Sequence, residues 1–174
     1  MTNSTYFVEY STPPTRRNTM TDLRESSSSD PASKPITLQI GALTPEQIAM
    51  IFTHLPVDVT FVDEGNDVRF YSGGKNRIFE RTPDVIGRNV LNCHSPDSVQ
   101  IVYKILEDFR AGTRDTAEFW LQTHVPDQES RFIYVRYFAV RDPQGKFLGT
   151  MEVTQDVTEI RKLEGERKLL DEVQ

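Results

Sequence analysis

The string Asn92-Cys93-His94 is the most chemically loaded stretch of this 174-residue chain. It sets a thiol beside an imidazole, just before Ser95-Pro96. An imidazole can bind a metal or move a proton near neutral pH, which makes His94 the candidate metal ligand. A thiol reacts only as thiolate, so redox sensing by Cys93 needs a nearby cation; otherwise it is an inert packed side chain. His54 and His124 have no ligand-type residues at metal spacing around them and read as structural or exposed. Asp58 and Glu152 are the two carboxylates in strand-like strings that can turn inward. Arg131, Arg136 and Arg141 recur along one apolar stretch. They could cradle an anion, but strand arginines more commonly face water. There is no nucleophile elbow, phosphate loop or paired metal-ligand spacing. These residues suit a binding site better than catalysis, and no enzyme activity is expected.

Such residues need elements to position them. Thr44-Pro45-Glu46-Gln47 is a helix start, with Thr44 as cap and Gln47 reaching back. Ile48, Ile51, Phe52 and Leu55 follow at helical spacing, and Pro56 stops the helix. Residues 57–63 and 67–72 read as two short strands around Glu64-Gly65-Asn66. Residues 75–80 read as a helical turn, and Thr82-Pro83-Asp84 opens a short helix that Gly87 ends. The longest helix starts at Ser95-Pro96-Asp97 and closes at Gly112, with Val99, Val102, Tyr103, Leu106 and Phe109 as its buried stripe. Three strands follow, over 118–125, 131–141 and 147–154, the last two joined by Asp142-Pro143-Gln144-Gly145. A charged helix over 159–172 places Ile160, Leu163 and Leu170 at heptad-like positions. Two strands, a helical insert and three strands predict an α+β domain: a five-stranded antiparallel sheet with helices on one face.

Composition bounds the rest. A net charge of −6 and a single cysteine exclude an intrachain disulfide and disfavour nucleic-acid binding. No apolar run approaches bilayer length and no secretory leader is legible, so the expected location is cytoplasmic, with no membrane partner. Residues 1–42 are rich in Ser and Pro and sparse in apolar side chains, and read as a disordered arm. The expected organisation is this arm, a domain over 43–158, and an output helix over 159–174.

The order and spacing of three strings resemble the PAS superfamily over residues 43–160. The strings are residues 57–72, leading to Asn76; Val85-Ile86-Gly87-Arg88-Asn89-Val90; and Asp156-Val157-Thr158-Glu159. Residues 72–79 and Asn92-Cys93-His94 are similar to a prokaryotic PAS subgroup that accompanies hemerythrin-like or uncharacterised modules. The resemblance implies a sheet curled around a pocket, an N-terminal cap helix and a C-terminal signalling helix. It also implies a sensory or adaptor role that relays a small-molecule signal through dimerisation to a downstream signalling protein. The implied lining is Phe61, Phe70, Asn76, Ile78, Val90, Val102, Leu106 and Phe119, with Cys93 and His94 beside it. The apolar members equally suit a filled core.

Some PAS families hold haem through a histidine on the helical side, which makes haem the candidate cofactor and His94 its candidate axial ligand. Flavin photochemistry is disfavoured. The light-sensing string Gly-x-Asn-Cys-Arg-Phe-Leu-Gln is broken here, because Val90 follows Asn89 and Cys93 comes three positions late. Thr150, Glu152 and Thr154 form a polar stripe. Strand periodicity turns it to solvent, while register to the PAS ending turns it to the pocket, and the sequence leaves both open. Both faces of the 131–141 strand are apolar, so its outer face is expected to be covered, by a homodimer built with the first and last helices. Two other functions remain open: a ligand-free dimerisation module, and a small α+β pocket enzyme of isomerase or hydrolase type.

Overall fold

Regular backbone starts earlier than Leu43. In the computed structural model, which describes residues 34–74, 77–123 and 129–168, Ile36–Thr37 (β1) pairs antiparallel with Ala42–Leu43 (β2). Leu38 N–H donates to the Gly41 carbonyl at 2.9 Å, and Gly41 takes φ +81° to close the turn. Residues 36–43 are therefore a small hairpin, most of it within the segment read as an arm. Residues 1–33 lie outside the described residues.

The first helix, α1 (Pro45–His54), begins with the expected capping box. Gln47 N–H donates to Thr44 Oγ1 at 3.1 Å, and Thr44 N–H donates to Gln47 Oε1 at 2.9 Å. Asp58–Asp63 (β3) and Val68–Tyr71 (β4) form the first hairpin. Asp63 Oδ1 organises its turn by accepting from Gly65 and Asp67 N–H. The helical turn expected over 75–80 is absent from 77–80, while 75 and 76 lie outside the described residues. Here the local groups are engaged elsewhere. Ile78 N–H donates to Asp58 Oδ2 at 2.8 Å, and Arg77 donates to the Ser72 carbonyl. Only a 3-10 turn, Pro83–Val85, forms before Gly87.

The second helix, α2 (Pro96–Ala111), ends at Gly112 in the left-handed region, φ +72°. Its buried residues are Val102, Ile105, Leu106 and Phe109. Tyr103 is 46% exposed, so Ile105 takes the place expected for it. The set 102, 105, 106, 109 follows the 3.6-residue period more closely.

Strands β5 (Thr116–Gln122), β6 (Phe132–Arg141) and β7 (Phe147–Asp156) complete an all-antiparallel sheet in the order β4-β3-β7-β6-β5. The last strand in sequence is thus the central one. Gly149 lets β7 approach β3: a Cβ there would lie 2.1 Å from the Val62 carbonyl oxygen, and its φ is +148°.

Helix α2 contributes to both core clusters. Ile105 and Phe109 join Ala117, Ile133, Val135, Tyr137 and Phe147, while Val102 and Leu106 join Val62, Val68, Val85 and Val90. It therefore lies across the inner face of the sheet. On the opposite face Phe52 of α1 packs against Phe70 at 4.9 Å between ring centroids. The helix expected over 159–172 is reduced to a 3-10 turn at Ile160–Lys162, and 163–168 are not helical. Gly165 takes φ +65°, and Ile160 and Leu163 are exposed. A short charged segment with no surface for its apolar positions cannot hold a helix. Residues 169–174 lie outside the described residues.

Candidate functional site

Strand parity decides which side chains look under α2. Register pairs Glu152 with both Thr60 and Tyr137, and Thr154 with both Asp58 and Val135. Thr60, Thr150, Thr154 and Tyr137 are all buried, so the polar stripe of β7 faces inward. The sequence left that orientation open. On the other parity, Val153 and Met151 pair with Val59 and Phe61 and lie on the α1 side.

A cavity of about 760 Å³ lies between this floor and α2. Its apolar wall includes Ile101, Val102, Ile105, Ala117, Phe119, Leu121 and Val135. Its polar part is Arg81, His94, Tyr137, Glu152 and Thr154, with Cys93 at the edge. Lys104, Asp108, Arg114, Glu80 and Glu118 also line it, with charges of both signs. Small-molecule sites span roughly 300–1,000 Å³ and mix an apolar wall with a few convergent polar groups, as here.

The electrostatic centre is the Arg81–Glu152 pair. One guanidinium nitrogen lies 3.5 Å from Glu152 Oε1, and each side chain is 16% exposed. Burial and the Glu152 carboxylate hold the Tyr137 phenol far above its ordinary value, so it stays neutral. Burial pushes the His94 imidazole below its ordinary value. Glu152 opposes that shift and Arg81 adds to it. Several polar atoms are left over. Arg81 Nε and the hydroxyls of Thr60, Thr150 and Thr154 are buried with no hydrogen-bond partner among the described residues. An unpaired buried polar atom costs about 1–3 kcal/mol.

Of the residues expected to line a pocket, Cys93, His94, Val102, Phe119 and Glu152 do so. Phe61 and Phe70 pair with each other on the opposite face, where Phe52 covers Phe70. Val90 and Leu106 fill the second core cluster, and Ile78 packs against the first. Asn76 lies outside the described residues, as does His124. Asp58 is engaged by Ile78 N–H and lies 4.0 Å from Arg77, which makes it a structural clasp.

The three strand arginines do not converge. Arg141 donates to the Phe109 carbonyl and to Asp115, Arg131 lies 4.0 Å from Asp156, and Arg136 lies against Tyr134 and Phe138. Trp120 is 63% exposed. Arg81 and Tyr137 are site residues that the sequence reading missed. Tyr137 was within reach through its register to Glu152. Arg81 sits in an irregular segment with no periodic signal.

Among the described residues no group of three or more His, Cys, Asp or Glu could hold a metal ion. Besides its own burial, the charged groups acting on His94 are the Glu152 carboxylate and the Arg81 guanidinium.

The family model described as PAS domain matches residues 48–158. None of the curated proteins compared with the chain matches it. Among solved structures, the chain is similar to the C-terminal domain of a Streptococcus mutans protein, at 34% identity and TM-score 0.69. That match covers 76% of this chain and 99% of the other. A PAS domain from Colwellia psychrerythraea matches at 14% identity and TM-score 0.49, covering 66% of this chain and 97% of that one. The PAS domain of Bordetella pertussis BvgS matches at 16% and 0.49, covering 67% and 91%.

Proposed function

The chain belongs to the PAS domain family, and from that premise we propose that it is a sensory domain whose cavity under α2 binds a small molecule. One observation carries the reading. A cavity of ligand size lies under α2, with the Arg81–Glu152 pair, His94 and Tyr137 set in its lining beside an apolar wall. A merely filled core leaves no such volume. The route outward is short. Glu152 lies four residues before Asp156 on β7, where the chain leaves the sheet. Asp156 Oδ1 accepts from Thr158 N–H at 3.0 Å, and Thr158 Oγ1 accepts from Phe132 N–H at 2.8 Å. A ligand that repositions Glu152 shifts β7, and with it this knot.

Native mass spectrometry of the protein as purified tests the reading. The expected result is an added small-molecule mass, lost in Ala117→Leu, which grows into the cavity. An unliganded mass under every growth condition, with the wild type binding no added compound, contradicts it and favours a ligand-free dimerisation module. Catalysis is no part of the proposal, because Asp58 is held as a clasp and Glu152 is paired with Arg81. Haem is left out as well. Titrated haem should give no Soret band that depends on His94, and a sharp band lost in His94→Ala would restore it.

Dimerisation is the second part of the proposal. Helix α1 buries none of its residues fully and leaves Met50 and Ile51 exposed, with Leu55 exposed just past its end. A ten-residue helix is not stable on propensity alone and needs a surface for that side. A second copy supplies one.

A further inference from the structure

We propose that the free edge of β5 is a docking site for this chain's own residues 5–12, which add to the sheet there as a further antiparallel strand. The two edges of the sheet differ. At β4, Val68 N–H donates to the Arg88 carbonyl at 3.0 Å and Gly87 N–H donates to the Val68 carbonyl at 2.8 Å, so residues 87–90 lie along that edge. At β5 nothing comparable lies alongside among the described residues. Thr123 N–H donates to the Arg131 carbonyl and Ala139 N–H donates to the Asp115 carbonyl, both at 2.9 Å. With the register of β5 on β6, this parity turns the odd-numbered residues towards β6 and leaves the backbone groups of Glu118, Trp120 and Gln122 facing outward. All of β5 but Ala117 is exposed, Phe119, Trp120 and Leu121 included. A bare edge with adjacent apolar side chains is a template for another strand.

The sequence points to which strand. Within residues 1–33, Thr5-Tyr6-Phe7-Val8-Glu9-Tyr10-Ser11-Thr12 is the one run of β-branched and aromatic residues, and Pro13-Pro14 ends it. Its length matches the seven residues of β5. Residues 13–33 connect it to Lys34, where the described chain begins. A connection of that length spans up to about 70 Å when extended, against about 35 Å for the width of a domain this size. The tether holds the segment near the edge at an effective concentration on the order of mM, so weak pairing suffices. Charge sets the direction. Glu9 is the only charged side chain of the segment. Arg114, just before β5, donates to the Thr116 carbonyl at 2.7 Å and pairs with no carboxylate among the described residues. Antiparallel pairing with Tyr6 towards Trp120 brings Glu9 towards Arg114. None of this depends on what the cavity holds.

Trp120 is the chain's only tryptophan, so its emission reports on this edge directly. The test uses the full chain, wild type against Phe7→Pro with Val8→Pro. Of two adjacent prolines, one removes an N–H that faces β5. The prolines should move Trp120 emission to the red and speed amide exchange at Glu118, Trp120 and Gln122 at least about tenfold, with β7 amides unchanged. Glu9→Arg should give part of the same shift, and adding Arg114→Glu should reverse it. A swap without restoration overturns the antiparallel pairing. Emission and exchange identical in wild type and the proline variant overturn the docking itself. So does protection that survives the prolines and grows with protein concentration, which assigns the edge to a second copy.

Discussion

Glu152 sits where a carboxylate is least expected, at the centre of a sheet and under a helix, and Arg81 makes that tolerable. Removing one partner leaves the other charge buried and unmatched. Glu152→Leu should therefore destabilise the fold by about 2–4 kcal/mol, somewhat below a fully buried pair because both side chains keep some solvent contact. Adding Arg81→Met should recover most of that loss, and denaturant unfolding of the two single variants and the double checks it. An additive double variant would mean that the two residues do not interact.

His94 gives a pH signature. Its folded value lies below its ordinary 6.5, so between the two values the unfolded chain binds the proton and the folded chain does not. Stability should be full above about 6.5 and should fall as pH drops below it. Thermal unfolding of wild type against His94→Gln should show that slope flattened in the variant. An unchanged slope would assign it to other groups. Cys93 and His94 were legible as cavity residues from the sequence. The inward turn of Glu152 was left open, because a polar stripe on a strand normally faces water while register to the PAS ending pointed it to the pocket.

Elements formed largely where the sequence placed them, because their ends are written in local chemistry. Thr44 and Gln47 cap α1, Gly112 closes α2, and Asp63 builds the β3–β4 turn. The failures came where tertiary partners decide. Arg77 and Ile78 are drawn to Ser72 and Asp58 and form no helical turn. Phe61 and Phe70 read as pocket lining because aromatic strand residues look alike on either face; register places both on the α1 side, where Phe52 packs against Phe70. The β1–β2 hairpin has only two residues per strand, too short to show a period. At this scale Gly149 gives the sharpest prediction. Gly149→Ala puts a Cβ into the Val62 carbonyl and should cost more than about 3 kcal/mol, whereas Gly112→Ala, with space around it, should cost about 1 kcal/mol. Comparable losses for the two would deny the close β3–β7 approach.

The whole molecule presents one closed face and one open face. Beneath α2 the inner face is packed apart from the cavity. The rest of the surface leaves Ile40, Trp120 and Leu163 exposed, besides the apolar side of α1. Among the described residues no helix is long and apolar enough to cross a membrane. A second copy over α1 predicts a dimer in light scattering at high concentration, converted to monomer by Ile51→Glu. A monomer at all concentrations would contradict that assembly.

Methyl-resolved NMR tests the site most directly, by following Val102, Ile105, Ala117 and Val135 inside the cavity and Val59, Met151 and Val153 on the opposite face while indole is added as a small planar probe. The cavity methyls should shift and saturate together, with the opposite face unmoved. Shifts confined to the α1 side, or none in the cavity while the compound binds, would contradict the account.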